Sequence, residues 1–406
     1  MKKGLKLVFY AVLGLMLAAG MAGAGAKEPI KIGMPNALSG HGAVYAVPMV
    51  QGAKVAVEEI NKRGGVLGRP FELILRDHKG NAESASRQAE ELILNEKVNF
   101  LAGTIYSNTA LAISAVAKKH KVLFMDCGVR TSTLTEEEGH RYVGSISVDT
   151  TYEGRAMAMF DKDTPNKKYW IIGSDYAYGR DAVKYFKETI KKIKPDSEIL
   201  GETWVKMGET EFTTPIGAIV RAKPDMLVSV LISAAFQSFS LQARPYGLFK
   251  KTVISVPITM QTELVRPLGK DFPEGAVGST KYIQGLLKTK EAQAFEKLYL
   301  ETTKEKFVPA FAADGYILMW LFAKAIEKAK SADTEAVIDA LKGLTLDTPK
   351  GKMTIRDCDL KCNIGEWWGK SKFDAKLGYS VLTGVKYIPA SDLMHTCKEV
   401  EAIRPK

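Results

Sequence analysis

The sequence predicts an α/β fold of two doubly wound parallel-sheet lobes, and three observations carry the prediction. Short strand-like runs alternate with helical periodicity without interruption from Ile30 to Asp126. A second series of the same kind begins after Val148-Asp149-Thr150 and continues to Val256. The runs themselves, such as Asn99-Phe100-Leu101-Ala102-Gly103 and Met226 to Ile232, are largely apolar, as strands covered by helices on both faces should be. The ligands of such sheets lie beyond the carboxyl ends of the strands.

In chain order, Ile30-Lys31-Ile32-Gly33-Met34 reads as the first strand and Leu38-Ser39-Gly40-His41-Gly42 as a turn. From Tyr45 to Lys62, the residues Val50, Ala53, Val57 and Ile60 share one helical face, and Arg63-Gly64-Gly65 ends that helix. Phe71 to Arg76 is the second strand, Ala85, Ala89, Leu92 and Ile93 mark the second helix, and Asn99 to Gly103, Ala110 to His120 and Val122 to Asp126 give strand, helix and strand. The second series places strands at Tyr169 to Gly173, Ile199 to Val205, Met226 to Ile232 and Val253 to Val256, with helices through Met157, Phe186, Thr214 to Arg221 and Gln242. Beyond Gly278 the pattern turns helical, with Tyr316, Met319, Trp320 and Ala323 on one core-facing stripe. After Pro349-Lys350-Gly351 it becomes short strands.

The chain opens with Met1-Lys2-Lys3-Gly4-Leu5-Lys6, an apolar run from Leu7 to about Ala19, and Ala24-Gly25-Ala26. A positive end, a short apolar core and an A-x-A site predict a secretory signal peptide over residues 1–26, cut before Lys27, and a periplasmic mature chain. The apolar run is shorter than the roughly 20 residues of a membrane span. Cleavage removes three lysines from a chain whose net charge is +11, and the remaining excess is scattered as Lys pairs beside acidic residues. That pattern suits solvated helix faces and argues against nucleic acid, which needs a clustered basic patch. Of the four cysteines, Cys127, Cys358, Cys362 and Cys397, the last three invite a disulfide in an oxidising compartment, with the pairing open. Cys358-x3-Cys362 and His395-x-Cys397 do not have zinc-finger spacing.

The stretch with the most chemistry is Leu101-Ala102-Gly103-Thr104-Ile105-Tyr106-Ser107-Asn108-Thr109-Ala110, a buried strand that stops and starts a helix. The first N–H groups of a helix lack internal partners, and the side chains of Ser107, Asn108 and Thr109 can complete a cup for a carboxylate. The plainer function of Ser107 or Asn108 is to cap the helix.

Leu38-Ser39-Gly40, Asn61-Lys62-Arg63-Gly64-Gly65-Val66-Leu67-Gly68-Arg69-Pro70, the Ser107-Asn108-Thr109 turn and Asp175-Tyr176-Ala177-Tyr178-Gly179-Arg180 together resemble the leucine/isoleucine/valine-binding protein family, the periplasmic solute receptors of branched-chain amino acid type ABC importers. The resemblance covers the whole mature chain. It implies the type I periplasmic binding protein fold, in which two lobes joined by three crossover strands close on a small molecule. The crossovers are expected near residues 142–152, 275–283 and 345–353, which gives lobe 1 as 27–148 plus 280–346 and lobe 2 as 149–279 plus 347–406. By the same resemblance Ser107 corresponds to a carboxylate-binding serine, Tyr45 to a tyrosine packed over the ligand, Tyr178 to an aromatic of the second lobe, and Gly128 to a carbonyl that meets a ligand ammonium. Two positions depart from the family: Arg130 stands for a threonine, and Pro257-Ile258-Thr259 stands where an acidic residue faces the ammonium. An Arg fork suits a carboxylate bidentately, so the sequence points to an anionic or neutral ligand without a free ammonium, with Tyr45, Tyr106, Tyr178 and Phe236 as apolar walls. Asp126 or Asp175 as ammonium partner keeps amino acids open.

The resemblance implies a monomer that delivers its ligand to permease subunits in the inner membrane, with no metal or cofactor. A ligand-sensing domain on a signalling receptor would use the same cleft. An enzyme is disfavoured by the lack of a Gly-x-Ser-x-Gly elbow, a phosphate loop or a His-Glu-x-x-His pair. The five histidines are scattered, with only His41 near the expected cleft. Cys127 lacks a suggested partner base and reads as a buried thiol.

Overall fold

The computed structural model describes residues 27–405 of the chain. The signal peptide read at residues 1–26 lies outside the described residues. Strands β1 (Ile30–Asn36), β2 (Phe71–Asp77), β3 (Phe100–Ala102), β4 (Phe124–Asp126) and β5 (Val143–Ser145) form a five-stranded sheet in the order β2-β1-β3-β4-β5, parallel throughout. Helices α1 (Ala43–Lys62), α2 (Ala82–Leu94) and α3 (Ser107–His120) make the crossovers. Strands β1 to β4 carry apolar residues on both faces, so helices must cover both.

From β5 the chain passes into a second sheet. Helix α4 (Thr150–Asp161) leads to β6 (Lys168–Ser174), followed by α5 (Ala177–Ile193), β7 (Glu198–Val205), α6 (Thr213–Ala222), β8 (Met226–Val230), α7 (Ser233–Ala243), β9 (Val253–Val256), α8 (Thr262–Leu268) and β10 (Val277–Thr280). The chain then returns through α9 (Lys290–Thr303), α10 (Ala310–Ala329) and α11 (Thr334–Leu341) to the first lobe, where Phe322 of α10 stacks on Phe100 of β3 with ring centroids 5.2 Å apart. A small hairpin of β11 (Thr345–Thr348) and β12 (Gly351–Thr354) precedes β13 (Glu366–Asp374) and β14 (Tyr379–Ile388), and short helices α12 (Ala390–Leu393) and α13 (Cys397–Ile403) close the chain.

The second sheet runs β14-β13-β10-β9-β8-β6-β7. It is not parallel throughout: β13 is antiparallel to β10, and β14 to β13. A tight turn between β13 and β14 permits only an antiparallel pair, whereas parallel neighbours need a long crossover. The passages between sheets follow β5, follow β10, and run from β12 to β13. The last comes later than the sequence suggests, because residues 345–354 pair with each other as a separate hairpin.

Two glycines set how the returning helix seats. A Cβ on Gly52 of α1 would come within 1.9 Å of the Ala312 carbonyl oxygen, and one on Gly315 of α10 within 1.9 Å of the Met49 oxygen. Any side chain at either position would drive the two backbones apart. The close crossing brings Tyr45 and Phe311 together, ring centroids 4.9 Å apart, at the edge of the cleft. At the far end, Cys358 pairs with Cys397 while Cys127 and Cys362 are buried free thiols. Arg404 donates to the carbonyls of Cys358 (3.0 Å) and Thr135 (2.9 Å), which straps the C-terminus across to the first lobe.

Candidate functional site

In each sheet the strand order reverses at one point: β1 lies between β2 and β3, and β6 between β7 and β8. The crevices beyond the carboxyl ends at those points face each other, and the cavity between the lobes lies there. Ile105, Tyr106 and Ser107 reach it from the end of β3, Gly128 and Arg130 from the end of β4. Tyr176 and Tyr178 come from the end of β6, Ile232 and Ile258 from beyond β8 and β9, and Tyr45 and Phe311 from α1 and α10. The lobes are closed on one another. Tyr106 meets Tyr176 edge-on at 6.4 Å across the cleft, and the Thr131 hydroxyl donates to Asp181. At the mouth, His41 packs so near Gly208 that a Cβ there would lie 2.7 Å from its Nε2. The closed cavity has a free volume of about 20 Å³, room for about one water.

Helix α3 begins at Ser107, one turn earlier than the apolar periodicity suggests, with Tyr106 as N-cap making no side-chain cap bond. Ser107 is therefore not used as the cap, and its buried side chain lines the cavity. The first N–H groups of α3 and the positive end of its dipole open on the same space. Beneath this turn, His78 Nε2 contacts Thr104 Oγ1 at 2.9 Å, and that hydroxyl donates to Asn36 Oδ1 at 3.1 Å. Burial pushes the His78 imidazole down to about 4, so it is a neutral strut.

Arg130 lines the cavity but does not offer a free fork. One terminal nitrogen donates to Glu153 of α4 and the other to Glu366 of β13, and all three side chains are buried. The expectation that Arg130 grips a ligand carboxylate bidentately is corrected here: both prongs are occupied, and only Nε lacks a partner. Burial pushes Glu153 up to about 8, against the pull of Arg130. The hydroxyl of Tyr178 stands beside this cluster, and burial keeps its phenol protonated well above the usual range.

A second cluster lies on the other side of Gly128. Lys281, just after β10, places Nζ 2.9 Å from Asp314 Oδ2 and donates to Ser147 Oγ at 3.0 Å and the Cys127 carbonyl at 3.3 Å. Lys350 holds the other oxygen of Asp314 at 3.0 Å. Burial works to raise the Asp314 carboxyl, but the two lysines outweigh it and hold it below the ordinary value.

Of the residues singled out from sequence, Tyr45, Tyr106, Ser107, Gly128, Arg130 and Tyr178 come together around this cavity. Four do not. Asn108 is exposed on the first turn of α3, and Thr109 is buried with its hydroxyl donating to the Tyr106 carbonyl at 2.8 Å. Asp175 is half-exposed and paired with Arg180 at 2.8 Å, because the chain turns outward before α5. Phe236 is buried in the core of the second lobe against Phe272, since the inner face of α7 packs on its own sheet. Asp126 is no ammonium partner either: it accepts from the N–H groups of Gly128 and Val129, both 3.0 Å, and from Ser145 at 2.7 Å. Sequence reasoning missed Tyr176, Phe311, Glu153, Glu366 and Lys281. Tyr176 had a signal, a Tyr-x-Tyr at a strand end; Glu153 had none, standing in a helix that also carries Arg155 and Asp161.

Among the described residues no group of three His, Cys, Asp or Glu could hold a metal, and no helix is long and apolar enough to cross a membrane. Two facing α/β lobes with a small closed cavity at their switch points define a solute receptor of the hinged, two-lobed kind. The sequence profile of the periplasmic binding protein family matches residues 29–364, and the chain belongs to that family. The Leu/Ile/Val-binding protein BraC3 of Rhizobium johnstonii is 28% identical over 335 residues, covering 81% of this chain and 88% of the relative. The leucine-, isoleucine-, valine-, threonine- and alanine-binding protein of Pseudomonas aeruginosa is 23% identical over 366 residues, 87% of this chain and 92% of the relative. Among solved structures, an ABC transporter solute-binding protein from Rhodopseudomonas palustris in complex with 3,4-dihydroxybenzoic acid superposes with a TM-score of 0.79 at 24% identity, covering 88% of this chain and 97% of that one. A branched-chain amino acid transporter substrate-binding protein from Streptococcus pneumoniae with isoleucine gives 0.78 at 20%, covering 89% and 99%. Both show the shared fold. The protein is a periplasmic solute receptor.

Proposed function

We propose that this receptor clasps a small solute by its carboxylate, held on the N-terminus of α3 and the Ser107 hydroxyl, with the apolar body of the solute between Tyr45, Tyr106, Tyr176, Tyr178 and Phe311. The observation that carries the reading is the uncapped start of α3, opening with Ser107 into the interlobe cavity. Helix N-termini favour anions through unpaired N–H groups and the dipole. The ligands named for the relatives and neighbours above, branched-chain amino acids and a hydroxylated benzoic acid, have in common a carboxylate on an apolar body. Binding energy closes the hinge, and the closed form, acting as a monomer after removal of residues 1–26, is what the permease subunits recognise. No covalent step belongs to this cycle.

A thermal-shift screen of residues 27–406 against aliphatic and aromatic acids, amino acids and the corresponding amides tests the reading, since a ligand of the native state raises the melting temperature. Acids are expected to stabilise and their amides not, with Ser107→Ala weakening the acid by about tenfold, the worth of one charge-assisted hydrogen bond. Equal shifts from acids and amides, or no effect of Ser107→Ala, would overturn the carboxylate site.

A further inference from the structure

We infer that Lys281 fills the place a ligand ammonium would need, so that the solute is a carboxylic acid without an α-ammonium group. The inference rests on the carboxylate reading above and narrows it. An ammonium carried from water into a closed cavity needs acceptors for three N–H groups, and without them its burial is strongly unfavourable. The acceptors around Gly128 are already taken by a cation of the protein. The Lys281 Nζ lies 3.3 Å from the Cys127 oxygen, 3.5 Å from the Gly128 oxygen and 3.0 Å from Ser147 Oγ, and 2.9 Å from Asp314. It also stands 4.5 Å from the centre of the Phe311 ring, so that aromatic face is already taken by a cation of the protein. The Gly128 and Phe311 positions both line the cavity, and the lysine charge lies directly behind them.

No carboxylate remains to compensate. Asp314 is shared by Lys281 and Lys350, and Asp126 already accepts from two N–H groups and a hydroxyl. Glu153 and Glu366 each keep one oxygen without a partner, and so does Glu263, which accepts the Phe311 N–H. None of the three glutamates reaches the cavity wall, where Arg130 stands in front of the first two. An amino acid held by its carboxylate at Ser107 would thus bring its ammonium toward a buried lysine behind the Gly128 carbonyl, in a medium that screens charge poorly. A des-amino acid of the same shape meets no such opposition.

The test uses matched pairs that differ only in the ammonium group: L-leucine against isocaproate, and L-phenylalanine against hydrocinnamate, titrated calorimetrically into residues 27–406. The des-amino member of at least one pair is expected to bind tenfold or more tightly than its amino acid, and Lys281→Ala, which leaves Asp314 and the Gly128 carbonyl exposed to the cavity, is expected to shrink or invert that ratio. An amino acid that binds as tightly as its des-amino partner overturns the inference while leaving the carboxylate reading intact. A folded Lys281→Ala protein with an unchanged ratio overturns the role given to Lys281. Failure of all four acids to bind would overturn both, which a parallel loss of thermal stabilisation by every other carboxylate in the screen would make plain. The wild-type comparison needs no variant to fold.

Discussion

Two buried charge clusters flank the cavity, and each inverts the charges of the other. In one, Arg130 stands between two glutamates; in the other, Asp314 stands between two lysines. In each the lone member is the one whose loss leaves two like charges facing each other without water. The difference between them lies in protons. Glu153 can shed its charge, and burial already pushes it up to about 8, whereas Asp314 is held ionised by its lysines. The first cluster therefore loses its excess of negative charge by taking a proton, while in the second burial pulls Lys281 below the ordinary lysine value and works against its excess of positive charge. Together they teach that the wall has no anion to offer a ligand, since its one charged side chain among the described residues is Arg130, already paired.

The comparison breaks most readily at the lone members. Arg130→Ala and Asp314→Ala are each expected to cost about 3–5 kcal/mol in urea denaturation, because an uncompensated buried charge is left behind. A loss under about 1 kcal/mol in either would mean that water already reaches the cluster. Removing an outer member is expected to cost less: Lys350→Met leaves Asp314 with Lys281, for a loss of about 1–3 kcal/mol. A cost equal to that of Asp314→Ala would show that the pairing is not shared as described.

Glu153→Gln sharpens the contrast through pH. Glu153 titrates at about 8 in the fold against an ordinary 4.5, so the folded state holds the proton more tightly than the unfolded chain. The stability this group contributes is complete below its ordinary value and is lost as pH rises through the folded value. Between pH ~5 and ~8 the melting temperature of the wild type is expected to fall more than that of Glu153→Gln, which cannot lose a proton. Identical slopes would place the proton elsewhere. The smallest effect is expected at the mouth of the cleft. Gly208 has φ +79° and sits against His41, so Gly208→Ala adds about 1 kcal/mol of backbone strain and a contact that disfavours closure. Small-angle scattering of the protein with bound ligand should show a larger radius of gyration for the variant; an unchanged radius would mean that the mouth does not limit closure.

The fold was legible because alternating apolar runs and helical stripes are local signals, and the strands and most helices fall where the periodicity puts them. The turn at Ser107 was legible for the same reason, being one strand end and one helix start. The fate of Arg130 was not. Its partners lie 23 and 236 residues away, and no local pattern in the loop says that two glutamates will converge on it. Lys281 was invisible likewise: it is a single charge after a strand, and its meaning comes from carbonyls more than 150 residues earlier in the chain. Phe236 misled in the opposite way, since an aromatic near a strand end serves a core as readily as a cleft, and α7 turns it inward. The antiparallel edge of β13 and β14 escaped notice because periodicity shows a strand but not its direction.

The most direct test of the carboxylate site is a crystal structure of residues 27–406 with the acid that gives the largest thermal shift. The carboxylate oxygens are expected within hydrogen-bond distance of Ser107 Oγ and the first N–H groups of α3, with Arg130 still held by Glu153 and Glu366. A ligand whose carboxylate instead pulls Arg130 away from the two glutamates would contradict the account.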